Sequence, residues 1–426
     1  MTRRVVLGLL LLALLAAGLG AAAGLGAFQP GLSPAERAAL AARRAARRLL
    51  AAEERAVAAC VRLVAVRLPA RTGAPAPQDP TRLFARPIAR HEVLGYVPYW
   101  TMGALGAADF AKASELAWFG LTLTPTGVPA QGGPAWEALT SPAFSSFVAS
   151  AHGAGDRVLL TVTSTASNAI GALVRSPRRS ADQLMGVVGP LLASDHLDGL
   201  DLDVEGQGRS GRAGFVRFVR ALRARLSALD PAAELVVDTY PQSAGDDGFF
   251  DVAALGRIAD RLFIMAYDMN EDASASASAP LADPTLHLSD VQALLQYVRV
   301  VPRRKLILGT PFYGNDYTTV GPRPGARAAT RYPVPVTYAA ISSVGRPALW
   351  DSVSYSVFTR FRRAGRWHQT WYDDPVSLAL KTALAAQFRI AGVGAWAFGM
   401  EGGDTAMLDA LAGTAPPVKL PLHPAP

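Results

Sequence analysis

The chain has 426 residues, a single cysteine, six histidines and a formal net charge of +8. Fourteen arginines against four acids fall in residues 1–90, so that arm carries +10 and residues 91–426 carry −2; the high pI gives no support to a nucleic-acid-binding main domain. Cys60 alone excludes an intrachain disulfide and a cysteine zinc site, and the six histidines are too scattered for a histidine metal site, so neither a metal nor another cofactor is expected.

Arg3 and Arg4 precede an uncharged run from Val5 to Ala27, the layout of a secretory signal, with a small-x-small cleavage site at Ala21-Ala22-Ala23. A run of about 20 apolar residues is also long enough to cross a bilayer uncleaved. A signal anchor associating the chain with a membrane through residues 5–27 is thus the competing expectation, and either form predicts a secreted or extracytoplasmic protein. Ser33-Pro34-Ala35-Glu36 reads as a capped helix start leading into an Arg/Ala-rich helix to about Val66, and Arg71 to Arg90 as a Pro/Ala-rich linker. Residues 28–90 are therefore an arm, and the Pro-rich residues 413–426 a tail.

From His91 short apolar runs alternate with helix-like stretches. The expected strands are Val93–Pro98, Leu116–Thr124, Arg157–Thr163, Leu197–Glu205, Glu234–Thr239, Arg261–Tyr267, Lys305–Thr310 and Gly392–Phe398. Eight such units predict an α/β fold, a (β/α)8 TIM barrel, over residues 91–412. The interval of about 316–374 is too long for a loop. Tyr355 to Arg360 and Trp367 to Tyr372 read as a hairpin joined through Arg363-Ala364-Gly365, within a small α+β insertion between strands seven and eight. Ala273 to Ala279 reads as a flexible loop without assignable chemistry.

Strand four, Leu197-Asp-Gly-Leu-Asp-Leu-Asp-Val-Glu-Gly206, alternates from Leu200: apolar side chains on one face, Asp201, Asp203 and Glu205 on the other. Asp201, Asp203, Glu205 and Gly206 imitate a calcium loop, but its twelfth position is Arg212 where a bidentate acid is required, and the alternation demands a strand. A structural ion network is the remaining alternative to function. Inward-facing carboxylates are costly to ionise together, so Asp201 and Asp203 are expected to share a proton and to help keep Glu205 protonated. A protonated acid at the mouth of a barrel lined with Tyr96, Trp100, Tyr313 and Trp396 suits proton donation to a glycosidic oxygen. A 2-acetamido sugar supplies its own nucleophile, which removes the need for a second carboxylate.

Asp198-Gly-Leu-Asp-Leu-Asp-Val-Glu205 resembles the DGxDxDxE signature of glycoside hydrolase family 18, the chitinase-like enzymes. Supporting matches are Gly95-Tyr96, Met265-Ala-Tyr-Asp268, Leu308-Gly-Thr-Pro-Phe-Tyr-Gly314, Trp371-Tyr-Asp-Asp374 and Trp396. The resemblance implies a retaining, substrate-assisted glycosidase acting on β-linked N-acetylglucosamine glycans of chitin or peptidoglycan type, in the manner of bacterial cell-envelope members. A catalytically inactive chitinase-like carbohydrate-binding protein is the alternative. It implies Glu205 as general acid, Asp203 as the residue that turns to the acetamido group, Asp201 as its buried partner and Tyr267 as the phenol on the acetamido carbonyl. Asp268, Trp396, Tyr96, Tyr313 and Met265 would bind substrate, with Trp396 as the floor beneath the sugar and core packing as the alternative role of Tyr96 and Tyr313. Asp198 reads as structural; Trp100, Tyr240, Trp367 and Trp371 are candidate cleft residues for which burial in the barrel or the insertion is the preferred reading. The expected partner is an N-acetylglucosamine-containing polysaccharide, bound by a monomer.

Overall fold

The computed structural model describes parts of residues 41–58 and residues 91–270, 273–283, 288–330 and 332–415. The signal or anchor segment, the linker and most of the Pro-rich tail lie outside the described residues. Described residues between 41 and 58 are helical, and among the described residues no helix is long and apolar enough to cross a membrane.

The first seven strands are β1 (Glu92–Pro98), β2 (Glu115–Thr122), β3 (Arg157–Ser164), β4 (Gly199–Val204), β5 (Glu234–Thr239), β6 (Arg261–Ile264) and β7 (Leu306–Pro311). Five further strands follow, β8 (Tyr313–Thr319), β9 (Val334–Thr337), β10 (Leu349–Asp351), β11 (Ser356–Arg363) and β12 (Arg366–Tyr372), before β13 (Gly392–Trp396). The parallel strands β1 to β7 and β13 close into an eight-stranded barrel in the order β1-β13-β7-β6-β5-β4-β3-β2. This is the (β/α)8 barrel that the alternating pattern predicts.

Two glycines let the staves close. A Cβ at Gly199 would lie 2.1 Å from the carbonyl oxygen of Glu234, and one at Gly392 would lie 1.8 Å from that of Glu92. Outside the barrel, helix Pro142–Ala154 starts on a Ser141 cap and stops at Gly155, whose φ of 92° few other residues tolerate. Helix Pro375–Phe388 starts on Asp374, which accepts from the backbone N–H groups of Val376 and Ser377. Inside the barrel, Leu94, Tyr96, Leu159, Val236, Phe263 and Ile307 form a core separate from the larger one between strands and helices.

The second sheet runs β10-β11-β12-β8-β9 and includes helix Tyr338–Ser342. It opens at Tyr313, directly after β7, so Tyr313 belongs to the insertion rather than to barrel strand seven. Its central hairpin turns at Ala364 (φ 49°) and Gly365 (φ 77°), the paired positive values of a turn whose twist matches antiparallel strands.

Two readings are corrected. Strand six ends at Ile264 rather than Tyr267: Ala266 and Tyr267 N–H groups turn back to the carbonyls of Ile264 and Met265, and Asp268 has φ 53°. Ala273 to Ala279 is not a loose loop. Its alternation has a two-residue period, and Ala275 and Ala277 are buried against Tyr317, Phe358 and Trp371 of the second sheet. Small side chains carry little hydrophobic signal, which is why the packed face was not evident from composition.

Candidate active site

The acids of β4 form a graded series. Asp201 is fully buried, Asp203 is 7% exposed, and Glu205, just past the strand end, is half-buried at the mouth. Alternation along β4 aims all three to one side, and the C-terminal ends of barrel strands are where such folds hold chemistry. Asp198 stands apart at the other end, where its Oδ2 accepts from the Val158 N–H at 2.7 Å and contacts His152 Nε2 at 3.0 Å, a structural role.

A residue on the neighbouring strand completes the series. Asp238, at the end of β5, is buried and accepts a hydrogen bond from the Tyr96 hydroxyl at 2.7 Å. Asp201 is packed against Thr161, Asp238 and Tyr96. Asp238 thus joins Asp201 and Asp203 in one buried cluster of acids. Burial pushes Asp201 up to about 6, against the opposing influence of those three neighbours. Burial and then the charges of Asp201 and Asp203 push Asp238 well above the usual carboxylate range.

Burial, then the charge of Glu205, raises Asp203 to about 8, against a 2.7 Å hydrogen bond from Thr163 Oγ1 to its Oδ2. Asp203 Oδ1 is buried and takes no hydrogen bond among the described residues. Glu205 is raised by burial; the Tyr240 hydroxyl against it works downward and the charge of Asp268 upward. Gln207 Nε2 in turn donates to the Tyr240 hydroxyl at 2.7 Å.

Asp268 is held from two sides. Tyr313 donates to its Oδ1 at 2.6 Å, Ser278 Oγ donates to the same oxygen at 3.2 Å, and the Asp268 N–H donates to Ser278 Oγ at 3.0 Å. The loop carrying Ser278 is tied down by Lys381, whose ammonium reaches the Ala279 carbonyl and pairs with Asp290 at 2.9 Å and Asp373 at 3.2 Å. Tyr267 lies beside Tyr313, ring centroids 6.3 Å apart. Its phenol is pushed well up by burial and then by the nearby Asp238.

Trp396, at the end of β13, packs edge-on to Phe119 at 4.6 Å and lies 5.6 Å from Tyr96. Trp100, 55% exposed, packs against Phe119 at 6.2 Å, so it extends this aromatic wall into solvent instead of being buried. Tyr96, expected at the substrate, is 1% exposed and bonded to Asp238, which makes it a support beneath the cleft. Met265, also expected at the substrate, is 8% exposed and belongs to the inner barrel core.

Residues 147–401 match the family model for glycosyl hydrolases family 18. The chain belongs to that family. Human di-N-acetylchitobiase is 25% identical over 243 residues, 48% of this chain and 59% of that protein. The putative sporulation-specific glycosylase YdhD of Bacillus subtilis (strain 168) is 28% identical over 160 residues, 34% of each chain. The chain thus spans between a third and three fifths of these relatives' lengths. A class V chitinase from Nicotiana tobaccum, in a mutant form complexed with NAG4, shares the fold with a TM-score of 0.67 at 18% identity, over 76% of this chain and 99% of that one.

Within this family-18 site, Asp238, Thr163 and Ser278 were not singled out from sequence. Asp238 had a usable signal: it is an acid at the C-terminal end of a predicted barrel strand, on the same face as Val236. Thr163 and Ser278 had none, since hydroxyl residues are common at strand ends and in loops.

Proposed function

We propose that the protein is a retaining, substrate-assisted glycosidase that hydrolyses β-linked N-acetylglucosamine glycans outside the cytoplasm. The observation that carries this reading is the layered arrangement of Glu205 and Asp203. Glu205 is partly open to the cleft and held toward its protonated form, while Asp203 directly below presents a buried oxygen, Oδ1, with no donor. A buried acceptor without a partner is costly, and an N–H from the substrate acetamido group would satisfy it.

In the first step Glu205 gives its proton to the glycosidic oxygen as the bond from that oxygen to the anomeric carbon breaks. The acetamido carbonyl oxygen attacks the same carbon from the opposite face, forming a cyclic oxazolinium. Asp203 accepts the acetamido N–H, and the Tyr267 phenol orients the carbonyl. Asp268, the other carboxylate at the mouth, is engaged by Tyr313 and Ser278. In the second step Glu205, now a carboxylate, takes a proton from water as the water oxygen opens the ring, giving retained configuration. Trp396 offers its ring face to the sugar.

Glu205→Gln is expected to lower kcat by about 100- to 10,000-fold while leaving oligomer binding intact, read by mass spectrometry of products from N-acetylglucosamine oligomers and by calorimetric titration. Turnover equal to that of the native chain in this variant would sink the assignment. Native protein that binds oligomers and never cuts them would establish the alternative, a chitinase-like sugar-binding protein.

A further inference from the structure

Charge is sharply divided within residues 91–426. Residues 313–372, which hold the second sheet, contain eight arginines, no lysine and only two acids, Asp316 and Asp351, a net +6 inside a segment whose total is −2. Asp316 is consumed by Arg363 at 2.8 Å, and Asp351 Oδ2 by Ser354. Arg323, Arg327 and Arg362 are exposed and form no ion pair among the described residues.

The segments that carry the three meet over the β11–β12 pair. Cross-strand partners share a face of an antiparallel pair, and the register pairs Phe358 with Trp371, Arg360 with Gln369 and Arg362 with Trp367. At the inner end, Phe358 and Trp371 pack on Ala275 and Ala277. At the outer end the Arg362 guanidinium lies 4.8 Å over the Trp367 ring, which fixes its plane and leaves its N–H edge free. The loop bearing Arg323 and Arg327 is tied over this face, since Gln369 Nε2 donates to the Arg323 carbonyl and Arg360 to the Pro322 carbonyl. That loop also meets the segment that positions Asp268: Ser274 bridges Arg327, and the Ala275 N–H donates to the Ala326 carbonyl. The arginine face is therefore continuous with the loop at the rim of the cleft.

We infer that Arg323, Arg327 and Arg362, with Trp367, form a secondary binding face for carboxylates on an N-acetylglucosamine polymer, selecting acidic glycan strands over neutral ones. Guanidinium groups without acid partners bind carboxylates in a paired, planar geometry, and an aromatic ring beside them suits a sugar face. The inference rests on the glycosidase reading for its biological role but not for its test.

The test separates binding from turnover. Glu205→Gln chains with and without Arg323→Gln, Arg327→Gln and Arg362→Gln are titrated with soluble peptidoglycan strands, which carry carboxylates, and with neutral chitin oligomers of equal length. The triple change is expected to weaken binding of the acidic strand at least tenfold, to leave the neutral oligomer within twofold, and to abolish the salt dependence that distinguishes the two. In the active chain the same change is expected to raise KM on the acidic strand without changing kcat on the neutral one. Equal affinity of the triple variant for the acidic strand, or salt-independent binding of both glycans by the parent, overturns the inference. Failure of turnover alone, with the binding difference intact, would count against the glycosidase reading only.

Discussion

Glu205 is tuned by two neighbours of opposite effect, and each can be removed singly. Asp268 raises its proton affinity and Tyr240 lowers it. Because the proposed chemistry needs Glu205 protonated, activity falls as pH rises through its pKa. Asp268→Asn should therefore move the alkaline limb of the kcat/KM profile to lower pH, and Tyr240→Phe should move it to higher pH, measured on a soluble oligomer across pH 4–9. Shifts of the same sign in both variants would contradict this picture. The deeper acids carry a stability cost with a definite sign. Asp201 is raised to about 6 and Asp203 to about 8, and Asp238 stands well above the usual range, whereas the unfolded carboxyls titrate near about 4. The folded state then binds more protons than the unfolded state between those values, so this cluster's contribution is present below about pH 4 and is lost as pH rises toward 8. Asp238→Asn removes one of these raised carboxyls, and the fall in Tm between pH 5 and 8 should be shallower in that variant.

At the scale of elements, the glycine in Asp198-Gly-Leu-Asp has a physical purpose: β4 lies so close to β5 that a side chain at Gly199 would strike the Glu234 backbone. Gly199→Ala should cost about 1–3 kcal/mol or more, seen as a lowered midpoint in denaturant unfolding, with the β4 acids displaced from their partners. Lys381 presents a second vulnerable point, because it is fully buried between Asp290 and Asp373. Lys381→Met leaves two buried carboxylates without their cation, and breaking such a group costs about 3–5 kcal/mol. Which of these elements could be read beforehand follows from the strength of their patterns. The eight strands were legible because branched apolar runs repeat between helical stretches, and the β4 acids because alternation fixes their face. Contacts between strands were not: Asp238 meets Asp201 through the pairing of β5 with β4, and Tyr96 meets it across the closed barrel, at separations of 37 and 105 positions in the chain. The Ala273–Ala279 segment and the first residues of the insertion carry no readable hydrophobic period, because small or mixed side chains leave little amplitude to follow.

For the molecule as a whole, the two ends of the barrel hold acids for different reasons. At the end opposite the cleft, Glu92, Glu115 and Glu234 meet Arg157 and Arg261, with Arg157 2.8 Å from Glu234 and Arg261 joined to Glu92. Here every acid has a cation nearby, which closes the base, whereas the acids at the mouth have hydroxyls and one another. Arg261→Met should lower stability by about 2–4 kcal/mol, below the value for a wholly buried pair because part of the guanidinium is exposed. Its kcat/KM at 25 °C should match that of the native chain, whereas its Tm should not; an equal loss of both would mean that the two ends are not independent.

Tyr313 is the first residue of β8 and also a donor to Asp268. The appended sheet and the carboxylates at the cleft mouth thus share a single hydroxyl. Grafting a foreign insertion onto this barrel would retune acidity along with selectivity, so the two traits cannot be engineered separately unless that phenol is kept in place.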